Sequence, residues 1–185
     1  MIITLSGVAG SGKSTVAKLV AQKLGLKHFS MGDLQRQYAI KKGLTIEELG
    51  KLEATDPTID QEVDATQTEL AKKEDNFVID SWLGFHFIPQ SFKVFLDCED
   101  EVAAGRIYGD TVSNKRNNSE KRAESLEEAI KIRRFRQETN RDRWYRFYQA
   151  DFLDKNNYNL VVDTSHINID QVVEKILNNL PQKAQ

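Results

Sequence analysis

The chain has 185 residues and a formal net charge of −2, with 26 Lys and Arg against 28 Asp and Glu. That length suits one domain with a single core, and the charge balance argues against a protein that coats nucleic acid, which would be basic overall. No apolar run approaches the ~20 residues that span a bilayer, no leader pattern opens the chain, and the one cysteine, Cys98, has no partner for an internal disulfide. The expectation is a cytoplasmic monomer without membrane or nucleic-acid partners, in which Cys98 is an inert residue at a strand end.

Ile2, Ile3, Thr4 and Leu5 form a β-branched apolar run that predicts a buried strand. Gly7-Val8-Ala9-Gly10-Ser11-Gly12-Lys13-Ser14 follows, a G-x-x-x-x-G-K-S phosphate loop. Thr15 continues into a helix in which Val16, Leu19, Val20 and Leu24 recur at helical spacing, up to Gly25. Glycines let successive backbone N–H groups turn inward around phosphate oxygens. The helix behind them points its positive end at the same anion. Lys13 suits the β- and γ-phosphates and the Ser14 hydroxyl suits Mg²⁺. The alternative, a tight glycine turn with no ligand, has neither the strand nor the helix as its natural context.

A short strand at 27–29 leads into a helix opened by Ser30-Met31-Gly32-Asp33-Leu34-Gln35-Arg36 and ended near Gly43. Thr45 to Glu48 reads as a capping box for a third helix, and Asp56-Pro57 breaks the chain before a fourth, with Pro as its first residue. Residues 76–80 form a buried strand ending in Asp80, and residues 92–98 form another. A helix over 101–108, a polar loop over 109–124, and a long Arg-rich helix from the capping box Ser125 to Glu128 towards Tyr148 come next. The last strand covers 158–163 and the closing helix 169–180.

Strands alternating with helices imply an α/β fold: a central parallel sheet of about five strands with helices on both faces. Ligands of such sheets bind beyond the carboxyl ends of the strands, where the phosphate loop, Asp80 and Asp97 all fall. Asp80 has the position of a strand-end acid that holds Mg²⁺; Asp97 is a weaker candidate of the same kind. Asp33 could face the magnesium water shell. Residues 106–146 carry twelve Lys and Arg against seven acids, whereas residues 43–75 carry ten acids against three lysines. A basic segment behind a phosphate loop suits a lid whose arginines close over a migrating phosphoryl group. On the long helix Arg133, Arg136 and Arg143 roughly share a face, with Arg141 elsewhere. Arg134 and Arg146 read as solvated charges. His28, His86 and His166 have no ligand or triad spacing.

Three signatures stand in order: Gly7 to Ser14; S-x-G-D-x-x-R at Ser30 to Arg36; and R-x-x-x-x-R-x-R at Arg136, Arg141 and Arg143, followed by Trp144 and Tyr148. Together they resemble the nucleoside-monophosphate kinases, and among them the archaeal-type cytidylate kinases. Asp56-Pro57 with Asp60, Asp64 and Gln67, and the run Val161 to Ser165, are similar too. The resemblance implies a three-layer P-loop kinase fold over 1–185, with an acceptor-binding helical insertion at 31–75 and an Arg-rich lid at 106–146. It implies ATP and Mg²⁺, a small nucleotide acceptor, and transfer of the γ-phosphoryl group to CMP or dCMP. Lys13, Arg136 and Arg141 would neutralise the transferred group. Gly7 to Thr15 and Arg106 would hold ATP, and Ser14 and Asp80 the metal. Arg36 would take the acceptor's α-phosphate, with Ser30, Asp33, Asp60, Asp64, Gln67 and Trp82 around the acceptor.

Two departures stand out. The family pattern has acid-Gly-Arg after the third strand where this chain has Asp80-Ser81-Trp82, and arginines before Gln67 where this chain has Ala65 and Thr66. A charged hydrogen bond contributes ~1.5–3 kcal/mol, so the acceptor side is short of cations. Compensation from Lys115 and Arg116 is one expectation; a different acceptor is the other. Trp82, Phe85 and Phe87 could stack a base or simply pack. A kinase for AMP or for a non-nucleotide hydroxyl, and a nucleotide-binding module without turnover, stay open. A guanine-type switch does not fit, because Asn114-Lys115-Arg116-Asn117 lacks the acid of an N-K-x-D motif.

Overall fold

The computed structural model describes residues 1–112 and 123–181. Five parallel strands form one sheet: β1 (Ile2–Gly7), β2 (Lys27–Ser30), β3 (Phe77–Asp80), β4 (Phe92–Asp97) and β5 (Leu160–Asp163), in the order β2-β3-β1-β4-β5. Between them run α1 (Lys13–Leu24), α2 (Met31–Lys42), α3 (Ile46–Thr55), α4 (Pro57–Lys73), α5 (Gly84–Phe87), α6 (Asp100–Val112) and α7 (Leu126–Tyr148), and α8 (Ile169–Asn179) closes the fold. This is the three-layer kinase architecture expected from the sequence.

Strand alternation sorts the core into two layers. Ile3, Leu5, Val78, Val94 and Leu96 face α1 and α8, where Val16, Val20, Val172, Val173 and Ile176 meet them. On the opposite face Phe95 packs with Val8, Leu83, Phe85, Trp144 and Phe152, and Ile2, Phe77 and Ile79 pack with Ile88. The same face of β1 carries Thr4 and Ser6, both fully buried. Each finds a partner: Thr4 Oγ1 lies 3.0 Å from Ser91 Oγ, and the Ser6 hydroxyl donates to Ser81 O at 2.9 Å. A buried hydroxyl without such a bond would be costly.

Helices α2, α3 and α4 sit between β2 and β3 and share a small core of Met31, Ala39, Leu49 and Val63. The Thr45–Glu48 capping box is present in full. At α4 Asp56 caps and Pro57 takes the first turn. Three expectations need correcting. The Ser125 box is half formed: Ser125 Oγ accepts from Glu128 N, but the Glu128 carboxylate turns to Glu124 N. Helix α6 continues past Tyr108 to Val112, because nothing in Gly109-Asp110-Thr111-Val112 stops it. Residues 109–112 of the expected loop are therefore helical, and 113–122, with Lys115, Arg116 and the Asn114 to Asn117 stretch, lie outside the described residues. Helix α5 adds an element that the sequence does not predict, because four residues are too few to show a period.

Candidate active site

The carboxyl ends of β1, β2 and β3 converge, and the phosphate loop leaves β1 directly above them. Gly7 and Gly10 adopt φ of +146° and +87°, and a side chain at either would run into a backbone carbonyl, of Leu96 and Ala103 respectively. Only glycine meets both demands. The loop is braced from three sides. Ser11 Oγ donates to Val8 O at 2.8 Å, Thr164 Oγ1 to Ser11 O at 3.3 Å, and Arg133 Nε to Ala9 O at 2.9 Å. Lys13 Nζ donates to the carbonyls of Gly7 and Val8 at 2.9 and 3.0 Å, so its ammonium folds over the loop.

Asp80 ends β3 as expected and is buried. Its Oδ1 accepts from Ser14 Oγ at 2.9 Å and Ser30 Oγ at 3.2 Å, while Oδ2 meets His28 Nε2 at 2.9 Å. A serine hydroxyl and a carboxylate beside a phosphate cradle are a hard, all-oxygen donor set of the kind that suits Mg²⁺ shared with nucleotide phosphates. Among the described residues no cluster of three or more His, Cys, Asp and Glu could hold a metal by itself. Asp97 is engaged otherwise: its carboxylate accepts from Cys98 N and pairs with Lys155 at 2.6 Å. Asp33 pairs with Arg36 on the surface of α2, which takes it away from a magnesium shell.

Spacing along the chain gives His28 no role. Strand alternation does point to it, since β2 runs beside β3 in the register Ser30↔Asp80 and His28 lies on the same side two residues back. Arg106 donates to Thr164 O at 2.7 Å and Thr164 Oγ1 at 3.2 Å, which ties α6 to the end of β5 beside the loop.

Within the helical insertion, α4 turns Asp60, Asp64 and Gln67 inward towards Glu53 of α3 and Arg143 of α7. The Arg143 guanidinium lies 3.3 Å from Glu53 and 3.6 Å from Asp60. Gln67 donates to Asp64 at 3.2 Å and accepts from the Ser81 hydroxyl at 2.5 Å. Three buried acids thus face one arginine. Burial pushes the Glu53 and Asp60 carboxyls up, with Arg143 pulling the other way. Asp64 is pushed up to about 7 by burial and then by the Asp60 charge. Burial and the same two aspartates push up the Tyr148 phenol, whose hydroxyl sits beside them without reaching hydrogen-bond geometry. Oδ2 of Asp60, Oδ2 of Asp64 and Nε of Arg143 have no hydrogen-bond partner among the described residues. Such a pocket can accept hydrogen bonds from a polar ligand.

Ala65 and Thr66 lie on the other face of α4, where with Phe29, Leu34 and Leu70 they line an open apolar groove of about 370 Å³. Thr66 turns its hydroxyl back to Val63 O. Neither residue faces the carboxylate pocket.

Helix α7 separates its arginines as follows. Arg133 is buried and joins Ala9 to Asp100, which also takes Arg134. Burial works against the Asp100 charge, but the two guanidiniums outweigh it and hold the carboxyl below its ordinary value. Arg134 therefore has an ion-pair partner rather than only solvent. Arg136 lies over the Trp82 ring. Arg141 forms a two-pronged pair with Asp151 at 3.0 and 2.5 Å, which engages its guanidinium outside the phosphate loop's own contacts. That partner lies beyond the end of the helix, out of reach of periodicity. Trp82 stacks on Phe152 and meets Trp144 edge-on, while Phe85 packs on Tyr158 and Phe87 on Tyr148. The aromatic residues after Asp80 are thus committed to packing rather than offered as a stacking surface.

A model of the cytidylate kinase-like family matches residues 2–166. The cytidylate kinase of Archaeoglobus fulgidus is 36% identical over 184 residues, covering 99% of this chain and 96% of that protein. The S-adenosylmethionine-dependent nucleotide dehydratase of Lacinutrix mariniflava is 37% identical over 178 residues; 96% of this chain aligns, to only 35% of that relative's length. Among solved structures, shikimate kinase from Bacteroides thetaiotaomicron has a TM-score of 0.64 at 16% identity, with 96% of this chain and 97% of that one covered, a likeness of fold alone.

Proposed function

The chain belongs to the cytidylate kinase-like family and is a nucleoside-monophosphate kinase, and we propose on that premise that it transfers the γ-phosphoryl group of ATP to CMP or dCMP, giving ADP and the diphosphate. The observation that carries the proposal is the juxtaposition of two halves. The phosphate loop with Lys13, Ser14 and Asp80 stands on one side, and a pocket of buried carboxylates at Asp60 and Asp64 stands on the other. Spare carboxylate oxygens suit an acceptor rich in donors, such as an exocyclic amine or ribose hydroxyls. The A. fulgidus relative bears the name cytidylate kinase, which favours the same acceptor.

In this reading the loop N–H groups and Lys13 hold the donor phosphates, and Ser14 and Asp80 hold Mg²⁺. The metal supplies charge neutralisation at the phosphates when bound. Arg136 approaches the migrating group from α7, and Arg36 takes the acceptor phosphate on exchanging its Asp33 partner. Phosphoryl transfer asks little covalent chemistry of the protein, so positioning and electrostatics carry the rate. Arg141 needs to leave Asp151 before it can take part. We assign 31–75 to acceptor binding and 106–146 to the lid.

A second reading, a different acceptor such as AMP or a non-nucleotide hydroxyl, is favoured by Trp82, Ala65 and Thr66 standing where acceptor-side arginines were expected. ADP release from ATP and Mg²⁺ against CMP, dCMP, UMP, AMP, GMP, dTMP and shikimate separates the two, with Lys13→Ala as control. Stimulation by CMP and dCMP supports the proposal. Stimulation by another acceptor supports the second reading, and a flat panel with ATP still bound removes both.

A further inference from the structure

Trp82 follows Asp80 by two residues, on a backbone that is fixed from several directions. Ser81 N donates to Leu5 O at 3.0 Å, Ser6 Oγ to Ser81 O at 2.9 Å, and Leu83 N to Ser81 Oγ at 3.2 Å. The indole is held in turn: Phe152 stacks on it at 5.1 Å and 21°, and Trp144 meets it edge-on at 5.2 Å and 80°. Two cations from separate elements converge on this rigid ring. Lys13 Nζ, from the start of α1, lies 5.3 Å from its centroid, and Arg136 Cζ, from α7, lies 5.6 Å from it.

Two like charges brought to one place repel each other. An aromatic face attracts both cations through its quadrupole, carries no net charge and takes none of their hydrogen bonds. We propose that Trp82 is a positioning residue for phosphoryl transfer, a neutral cation–π platform that holds Lys13 and Arg136 together where the γ-phosphate reacts. This rests on the kinase reading above. It also replaces the expectation that Trp82 stacks the acceptor base.

The test uses the full chain in steady-state assays with the acceptor that gives turnover, with thermal unfolding to confirm folding. Trp82→Leu removes the π face and should lower kcat about tenfold, equal to ~1.4 kcal/mol, while KM for ATP and for the acceptor change less than about threefold. Trp82→Phe keeps a π face and should restore kcat to within about threefold of the parent. Leu at this position also disturbs the packing on Phe152 and Trp144. A shape-neutral series therefore accompanies it: mono-, di- and trifluorotryptophan placed at position 82 by codon suppression. Each fluorine drains the ring quadrupole at nearly constant volume, so kcat should fall stepwise along the series. The proposal is overturned if fluorination leaves kcat flat, if Leu and Phe lose activity equally, or if the loss appears only in the acceptor KM, as base stacking requires. An unmodified protein that releases no ADP with any acceptor would instead remove the kinase reading itself.

Discussion

Asp64 offers a measurement in which ionisation reads out directly as stability. It is 6% exposed, next to Asp60, and its carboxyl is pushed from 3.8 up to about 7, burial being the larger cause. In the unfolded chain the same group ionises near its ordinary value. Between those two pH values the folded state therefore holds a proton that the unfolded state has released. The contribution is whole below about pH 4 and is lost as pH rises through about 7, because ionising Asp64 in the folded protein places a second charge beside Asp60. One pKa unit corresponds to ~1.36 kcal/mol, so the full loss is about 4 kcal/mol, of which about 2–3 kcal/mol falls between pH 5 and pH 8. Asp64→Asn keeps the oxygen that accepts from Gln67 and cannot ionise. We predict that the variant gains on the parent by about 2–3 kcal/mol from pH 5 to pH 8, or roughly 5–10 °C in Tm for a chain of this size. Urea and thermal unfolding of both proteins at several pH values measure it. Taking the difference between the two proteins cancels the other titrating groups. A difference constant to about 0.5 kcal/mol across the range would refute the reasoning, because it would mean that Asp64 stays ionised throughout.

Three further outcomes follow from the same geometry. Arg143→Met leaves Glu53 and Asp60 buried without their cation and should cost ~3–5 kcal/mol at pH 8, with the cost shrinking as pH falls because burial favours the protonated form of both carboxyls; a loss below about 1 kcal/mol in urea unfolding at pH 8 would contradict the pairing. Gly10→Ala must place a side chain at φ +87° against the Ala103 carbonyl, at a cost of ~1–3 kcal/mol, and titration with ATP should show its affinity falling together with Tm. His28→Ala removes the ring that orients the Asp80 carboxylate and should raise the Mg²⁺ concentration for half-maximal activity several-fold, with kcat at saturating Mg²⁺ within about threefold; Mn²⁺ binding followed by electron paramagnetic resonance reads the same affinity without turnover.

Local pattern carried much of this protein. The phosphate loop, five strands, the capping box at Thr45, the helix start at Pro57 and the long helix to Tyr148 all come from rules that act within a few residues: alternation, helical spacing, glycine backbone freedom and side-chain caps. The placement of Asp80 beside Ser14 also followed, because a parallel sheet gathers the carboxyl ends of its strands and β3 runs next to β1. What the sequence could not decide is where each arginine of α7 goes. Arg133 reaches Ala9, Arg143 reaches Glu53 and Arg141 reaches Asp151, and Trp82 comes to lie under Lys13 and Arg136. Helical spacing says which side chains share a face but not which partner the fold brings to it, and ion pairing is indifferent to separation along the chain. His28 lay between these cases, legible only once β2 was known to run beside β3. Sequence by itself determined the elements and the phosphate cradle, because both are local. Only the tertiary structure decided which partner each cation meets, because that choice depends on charges far apart in the chain meeting in space.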